Sequence, residues 1–334
     1  MSEASGDKAK GYDYIVVGAG SAGSVLANRL SADGAAQVLL LEAGPPDTSL
    51  FIRMPAGVAR AIASPKYNWH YWTEPEPGLD GRKLTWPRGK VLGGSSSINA
   101  LVYVRGQGAD YDAWAQAGCP GWSYEDVLPY FLRSETNQRG PGPFHGGDGP
   151  LYVGDAEGGW PLFDAFIEAG AEAGFPKADD FCDPRAEGFG TFQLNIKDGE
   201  RFNAARAYLH PIRQRKNLTI ATGALATRLE VEGGRVIGVH YVKGGATHFA
   251  RATSEVVLSG GAINSPQLLL LSGIGPANEL KALGIDPVCD LPGVGANLHD
   301  HMEAKVKCRA TEPVTLWSHA RFPNYLLTGA RYLF

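Results

Sequence analysis

Residues 14–23 read YIVVGAGSAG. Tyr14, Ile15, Val16 and Val17 form a short unbroken apolar run, β-branched and aromatic, which predicts a parallel strand buried on both faces. Glycines follow at Gly18, Gly20 and Gly23. Ser21, Ala22, Val25, Leu26, Ala27 and Leu30 then recur at helical spacing, with Gly34 placed to end the helix in a left-handed C′ conformation. In a strand, turn and helix of this order, the first glycine permits the tight turn and the second lets a pyrophosphate approach the backbone. The third lets helix and strand pack closely. The helix N-terminus then faces an anion. Gln37 to Leu41 is a second apolar run. Glu42 closes it about 20 residues beyond Gly23, where a carboxylate accepts hydrogen bonds from ribose hydroxyls and repels a 2′-phosphate. The residues therefore predict a dinucleotide site for FAD or NAD rather than NADP.

At 334 residues the chain has room for about two domains. Hydrophobic residues at 44% and charged residues at 20% are globular values, and 44 glycines with 22 prolines imply many tight turns. A formal charge of −4 gives no electrostatic case for nucleic acid or for an anionic membrane. Met1 to Gly11 is polar and mixed in charge, unlike a signal peptide. No apolar run, Leu268 to Leu271 included, approaches the roughly 18 residues of a transmembrane span. Cys119, Cys182, Cys289 and Cys308 are scattered without a CxxC pair. They read as buried reduced thiols in a cytoplasmic protein, one compatible with peripheral contact at the inner membrane.

Pro45 to Pro77 is irregular and aromatic-rich, with Trp69, Tyr71 and Trp72 close together. These rings either lie over the adenine or pyrophosphate half of a cofactor or serve as hydrophobic pegs under a long loop. The next stretch, 86–112, reads WPRGKVLGGSSSINALVYVRGQGADYD. Gly89, Gly93 and Gly94 remove side chains, while Ser95, Ser96, Ser97 and Asn99 place hydroxyls and an amide in the same loop. Such a segment can wrap a flat polar ring system. An isoalloxazine offers more hydrogen-bonding edge than a nicotinamide, so this second glycine-rich loop favours a flavin.

Asp112 to Arg133 reads as helical around Trp114 and Trp122, and Gly140 to Gly149 as a loop. Leu162 to Gly174 reads as an amphipathic helix with Phe163, Phe166 and Ile167 on one side. Residues 218–242, LTIATGALATRLEVEGGRVIGVHYV, hold two alternating runs split at Gly233 and Gly234. With a third run near Thr247 to Ala250 they predict an antiparallel meander. Glu255 to Leu258 returns to a buried strand. Gly260 and Gly261 then allow close backbone approach to a ligand, Ser265 is placed as an N-cap, Pro266 as the first helical residue, and Gly273 as the stop.

Three motifs carry a family resemblance: VVGAGSAG with Glu42, RGKVLGGSSSINALVYVRG, and GAINSPQLLLLSGIG at 261–275. By these the chain resembles the glucose-methanol-choline (GMC) family of FAD-dependent oxidoreductases, in particular its choline dehydrogenase-like alcohol dehydrogenases. The resemblance implies an α/β fold. A Rossmann-like FAD-binding domain with a parallel sheet and an antiparallel meander would occupy 11–155 and 204–300. An incomplete α+β substrate domain would occupy 156–203 and 301–334. The expected FAD contacts are Gly18, Gly20, Ser21, Ala22, Gly23, Glu42, Ala43, Trp69, Arg88, Gly89, Val91, Gly94, Ser95, Asn99, Ala100, Leu101, Val102, Ala226 and Gly260. Within this set Asn99 and Ala100 match positions along the isoalloxazine edge, and Val102 matches one near its reactive face. Ile98 stands where some members attach FAD covalently through a histidine, so FAD is expected to be non-covalent.

The implied reaction is oxidation of a small-molecule alcohol to an aldehyde or ketone by hydride transfer to flavin N5, with oxygen, a quinone or another carrier as electron acceptor. In the family the catalytic histidine lies in a C-terminal segment with no counterpart among these residues. The chain is therefore expected to be a piece of a longer enzyme and to lack turnover alone. A nicotinamide dehydrogenase, a light-driven fatty acid decarboxylase and a non-catalytic flavin-binding module are the competing readings. The loop LPGVGANLHDH at 291–301 is expected to close over the pyrophosphate region. It is not read as a metal site, because His299, Asp300 and His301 are adjacent and such neighbours rarely point at one ion. His145, His210 and His240 read as surface or satisfied core residues.

Overall fold

The opening apolar run forms β1, Tyr12–Val17, followed by helix α1, Ser21–Leu30, and strand β2, Val38–Glu42. The computed structural model describes residues 11–157 and 159–301, and beyond them 303–312, 314–316, 322–324, 327, 329 and 330. Alternate residues of β1 enter different cores, as a strand covered on both faces requires. Ile15 and Val17 pack with Leu39, Leu41 and Leu268, whereas Val16 packs with Ala27, Leu40 and Leu209. Helix α1 ends at Leu30, earlier than Gly34 suggested. Ser31 is the C-cap, and its hydroxyl donates to the Ala27 carbonyl at 2.7 Å. Gly34 has a positive φ of 78° but belongs to the turn beyond.

Four more strands complete the sheet: β3, Leu218–Thr222; β4, Ala224–Glu232; β5, Arg235–Lys243; and β6, Ala246–Leu258. The order is β3-β2-β1-β6-β5-β4. The alternating run from Leu218 does not belong wholly to the meander. It breaks at Gly223, whose φ of 64° turns the chain, and its first half pairs in parallel with β2 in the register Leu218 to Val38. The meander is β4, β5 and β6. Glu255 to Leu258 is no separate strand: β6 pairs antiparallel with β5 at Ala250 and Val239, then parallel with β1 at Val256 and Ile15. Its last three residues are half-buried rather than buried.

Helix α2, Gly261–Leu271, follows at once and starts ahead of the expected N-cap, so that Pro266 lies inside it. Ser265 nevertheless serves the N-terminus, because its hydroxyl accepts from the Gly260 N–H at 3.0 Å. Ser272 and Gly273, with φ 79°, end the helix as expected. Between 45 and 77 two short helices, Leu50–Arg53 and Val58–Ala63, replace purely irregular chain. Ile52 and Ala61 join Val91 and Ile98 in a small buried core.

The chain divides into two compact units. The first comprises Met1–Tyr103, Leu128–Gly154 and Leu194–Leu298 and contains the sheet; the second comprises Val104–Val127, Asp155–Gln193 and His299–Phe334. Against the division drawn from sequence, residues 104–127 fall in the second unit and 194–203 in the first. Within the second unit, helix Gly108–Gln116 presents Trp114 edge-on to Trp122, and helix Pro161–Glu172 sets Phe166 against Phe189. Phe163 and Phe166 remain more than half exposed. Cys182 is buried, but Cys119, Cys289 and Cys308 are exposed, which corrects the expectation of buried thiols. No helix among the described residues is long and apolar enough to cross a membrane.

Candidate functional site

The first unit holds a cavity of about 540 Å³ at the carboxyl ends of β1, β2 and β6, where Val17, Glu42 and Leu258 line it. This is where open α/β sheets bind ligands, and the volume is that of a cofactor-sized pocket. The glycines of the first turn differ in what surrounds them. A Cβ on Gly18 would stand 2.6 Å from the Ser259 carbonyl, and one on Gly23 would stand 1.8 Å from the Gly18 carbonyl. Gly20 is different. Its nearest neighbour would be the Gly94 Cα at 3.9 Å, so the space before it belongs to the cavity rather than to protein. Helix α1 starts at this point with no side-chain cap and no acidic residue in its first turn. Its first N–H groups therefore favour an anion.

Glu42 is 6% exposed, and both its oxygens are engaged by backbone: Ala19 N–H donates to Oε2 at 2.9 Å and Gly44 N–H to Oε1 at 2.8 Å. Burial pushes its carboxyl above the usual range, against the pull of those two donors and of the Lys90 charge. The carboxylate thus ties the glycine turn to the end of β2. Each oxygen keeps a further lone pair for a ligand hydroxyl.

The aromatic loop is set by Asn68, which is buried and whose Oδ1 accepts from the N–H groups of His70 and Arg88, each at 3.0 Å. Trp69 stacks parallel to Tyr71 at 5.9 Å, with the Lys90 ammonium 4.7 Å from the Trp69 ring centre. Trp69 and Arg88 line the cavity, while Trp72 is 61% exposed and lines nothing there. Asn264 on α2 lines the cavity as well and donates to the Tyr71 hydroxyl at 2.7 Å. Ile263 and Gln267 line the cavity too; all three went unnoticed in the sequence, and Ile263 and Asn264 lie ahead of the proline, where no helix was expected.

Of the residues expected to contact a cofactor, Gly18, Gly20, Ser21, Ala22, Glu42, Ala43, Trp69, Arg88, Gly89, Gly94, Ser95, Ala226 and Gly260 line this one cavity. The others lie elsewhere. Gly23 is buried at the junction of α1 with the turn, and Val91 is fully buried in the core it shares with Ile98. Asn99, Ala100 and Val102 are exposed, and Leu101 between them is buried with a positive φ of 70°. These four do not line the cavity.

Ser97 joins a polar cluster in which Asp47 and Asn203 are also buried and His210 reaches the surface. Asp47 accepts from His210 Nε2 at 2.9 Å and from Asn203 Nδ2 at 3.0 Å, and Asn203 also donates to the Ser97 hydroxyl at 2.8 Å. Burial would raise the Asp47 carboxyl, but the donors from His210 and Asn203 outweigh it and hold the group below its usual range. A depressed carboxyl stabilises the fold above its unfolded-state pKa of about 3.9, and that stability is lost as pH falls through the folded value. Asp47→Asn is therefore expected to lower unfolding free energy at pH 7 by about 1.5–3 kcal/mol. The deficit should shrink towards pH 3, and urea titrations at both pH values measure it.

A family profile described as GMC oxidoreductase matches residues 12–303. Human mitochondrial choline dehydrogenase is 48% identical over 340 residues, covering 100% of this chain and 57% of the human protein. The oxygen-dependent choline dehydrogenase of Rhizobium etli is 49% identical over 323 residues, covering 96% of this chain and 58% of its own. Among solved structures, pyridoxine 4-oxidase from Mesorbium loti superposes with a TM-score of 0.81 at 41% identity over 84% of this chain and 55% of that one. An FAD-dependent oxidoreductase from Chaetomium thermophilum gives 0.78 at 33% identity over 84% and 51%. The chain thus spans little more than half the length of these relatives.

Proposed function

Because the chain belongs to the GMC oxidoreductase family, we propose that its cavity holds FAD non-covalently and that the protein oxidises a small-molecule alcohol to an aldehyde or ketone. One observation carries the FAD reading: the uncrowded face of Gly20, the uncapped start of α1 and the buried Glu42 meet in one cavity with the second glycine-rich loop. The first N–H groups of α1 would receive the pyrophosphate and Glu42 the ribose hydroxyls. Gly94 and Ser95 would flank the ring system and pass it to Asn99, Ala100, Leu101 and Val102. Bound FAD would supply the hydride acceptor. Trp69 and Arg88 would shield the site from water on the side of the aromatic loop.

Ile98 has no nucleophile and is 3% exposed within an apolar core, so no covalent link forms from this position. Acid or heat precipitation of the yellow protein should release its colour into the supernatant. Colour retained in the pellet would contradict non-covalent binding.

The alcohol reading draws on the choline dehydrogenase relatives, and a choline-like donor is the substrate we propose, with oxygen, a quinone or another carrier as acceptor. Four free cysteines fit a reducing compartment such as the cytoplasm. Anaerobic addition of choline, benzyl alcohol and aliphatic alcohols to the flavin-loaded protein that carries this chain tests the reaction. Bleaching of the oxidised flavin by at least one of them is expected. Carbon dioxide release from a fatty acid under blue light, with no alcohol active, would favour the decarboxylase instead.

A further inference from the structure

Arg201 is a cation buried to 1% exposure with no carboxylate at salt-bridge distance among the described residues. Buried charges normally ionise only beside an opposite charge, so its surroundings need another account. Its Nε donates to the Ile52 carbonyl at 3.0 Å. Its Nη1 donates to the Ser96 carbonyl at 3.1 Å and to Asn99 Oδ1 at 2.7 Å, and its Nη2 to the Asn99 carbonyl at 2.8 Å. Three of these four acceptors lie in the loop that follows Ser95.

The neighbours of Arg201 grip the same loop. Ala204 N–H donates to the Ser96 hydroxyl at 3.0 Å, and Asn203 Nδ2 to the Ser97 hydroxyl at 2.8 Å. Asn99 Oδ1 also accepts from Leu101 N–H at 3.1 Å. Leu101 has a φ of 70°, a conformation that costs a non-glycine residue free energy and persists only where the surroundings impose it. Its carbonyl is fixed in turn by the Asn195 N–H at 2.8 Å. The fork of Arg201 thus clamps the residue two before a strained turn.

We propose that Arg201 is a positioning residue: its guanidinium holds Ser96 and Asn99 so that Asn99 to Val102 keep the shape that receives the flavin ring. This rests on the FAD reading above. The planar fork reaches Ile52 on one side and Asn99 on the other, which a single ammonium nitrogen cannot do, so lysine does not substitute. The loss falls on the ring half of the cofactor. No Arg201 hydrogen bond reaches α1, the first glycine turn or Glu42, which would form the pyrophosphate half.

Equilibrium titrations of the full chain with ADP and with FAD test this, because ADP probes the pyrophosphate half alone. Arg201→Lys should leave ADP affinity within about twofold and weaken FAD about tenfold or more, with the flavin absorption band reverting towards that of free FAD. Arg201→Gln, which removes the buried charge and keeps a single donor amide, should weaken FAD by a comparable factor with ADP again unchanged. It serves if Arg201→Lys fails to fold. Equal losses for ADP and FAD, or none for FAD in either variant, would overturn the positioning role while leaving the FAD reading intact. A wild-type chain that binds neither ligand would overturn both.

Discussion

Gly23→Ala is expected to destabilise the first unit severely, whereas Gly20→Ala is expected to fold normally and lose cofactor affinity. The contrast follows from what each new methyl group meets. At Gly23 the Cβ would sit 1.8 Å from the Gly18 carbonyl oxygen and 2.6 Å from the Ser259 hydroxyl, so α1 would have to move off the turn. Overpacking of interiors costs about 1–3 kcal/mol and occasionally more. A contact against backbone in the central turn belongs at or beyond the upper end, a large part of the roughly 5–15 kcal/mol that holds a protein folded. At Gly20 the methyl meets no protein atom closer than 3.9 Å, and the backbone there is extended with φ −74°, which alanine adopts freely. The cost appears only when a pyrophosphate approaches, and a clash worth about 1–3 kcal/mol weakens binding roughly 5- to 150-fold. Circular dichroism melts and FAD titrations of the two variants check this. A Gly23→Ala protein as stable as wild type would show that α1 does not pack as described.

Glu42→Ala should damage both stability and binding. The substitution leaves the N–H groups of Ala19 and Gly44 without their acceptor, and a buried donor so orphaned costs about 1–3 kcal/mol. Water entering from the cavity would recover part of that. On the proposed FAD reading the ribose hydroxyls lose a charged acceptor at the same time, worth about 1.5–3 kcal/mol, so FAD affinity should fall by roughly 10- to 150-fold. Glu42→Gln separates the two effects only in part, because the amide turns an NH₂ towards one of two donors that both need an acceptor. Thermal melts of the ligand-free chain measure the first effect, and FAD titration the second. Unchanged FAD retention after dialysis would remove Glu42 from the binding site.

The glycine turn, β2 and Glu42 were legible in the sequence because each rule involved is local: a short buried run, three glycines at fixed spacing, and a carboxylate closing the next strand. The second glycine-rich loop was legible by composition, and Gly89, Gly94 and Ser95 do line the cavity. What escaped depended on partners distant in sequence. Leu218–Thr222 alternates like a meander strand, but pairing with Val38–Glu42 places it in the parallel sheet, and only the φ of Gly223 separates it from its neighbour. Asn264, a cavity residue, lies ahead of the proline of α2, where local propensity misplaces the helix boundary. Arg201 offered no signal in sequence, since its importance lies in acceptors on residues 52, 96 and 99. Glu42 carries a structural duty, capping Ala19 and Gly44, that spacing alone does not reveal.

Whether this cavity is a dinucleotide site built for FAD is tested most directly by titrating the ligand-free chain with FAD and then displacing it with ADP. Saturable one-to-one binding that ADP reverses is the predicted result, with NADPH failing to compete at the same concentration because Glu42 repels its 2′-phosphate. No saturable FAD binding by a folded chain, or tighter binding of NADPH than of FAD, would contradict it.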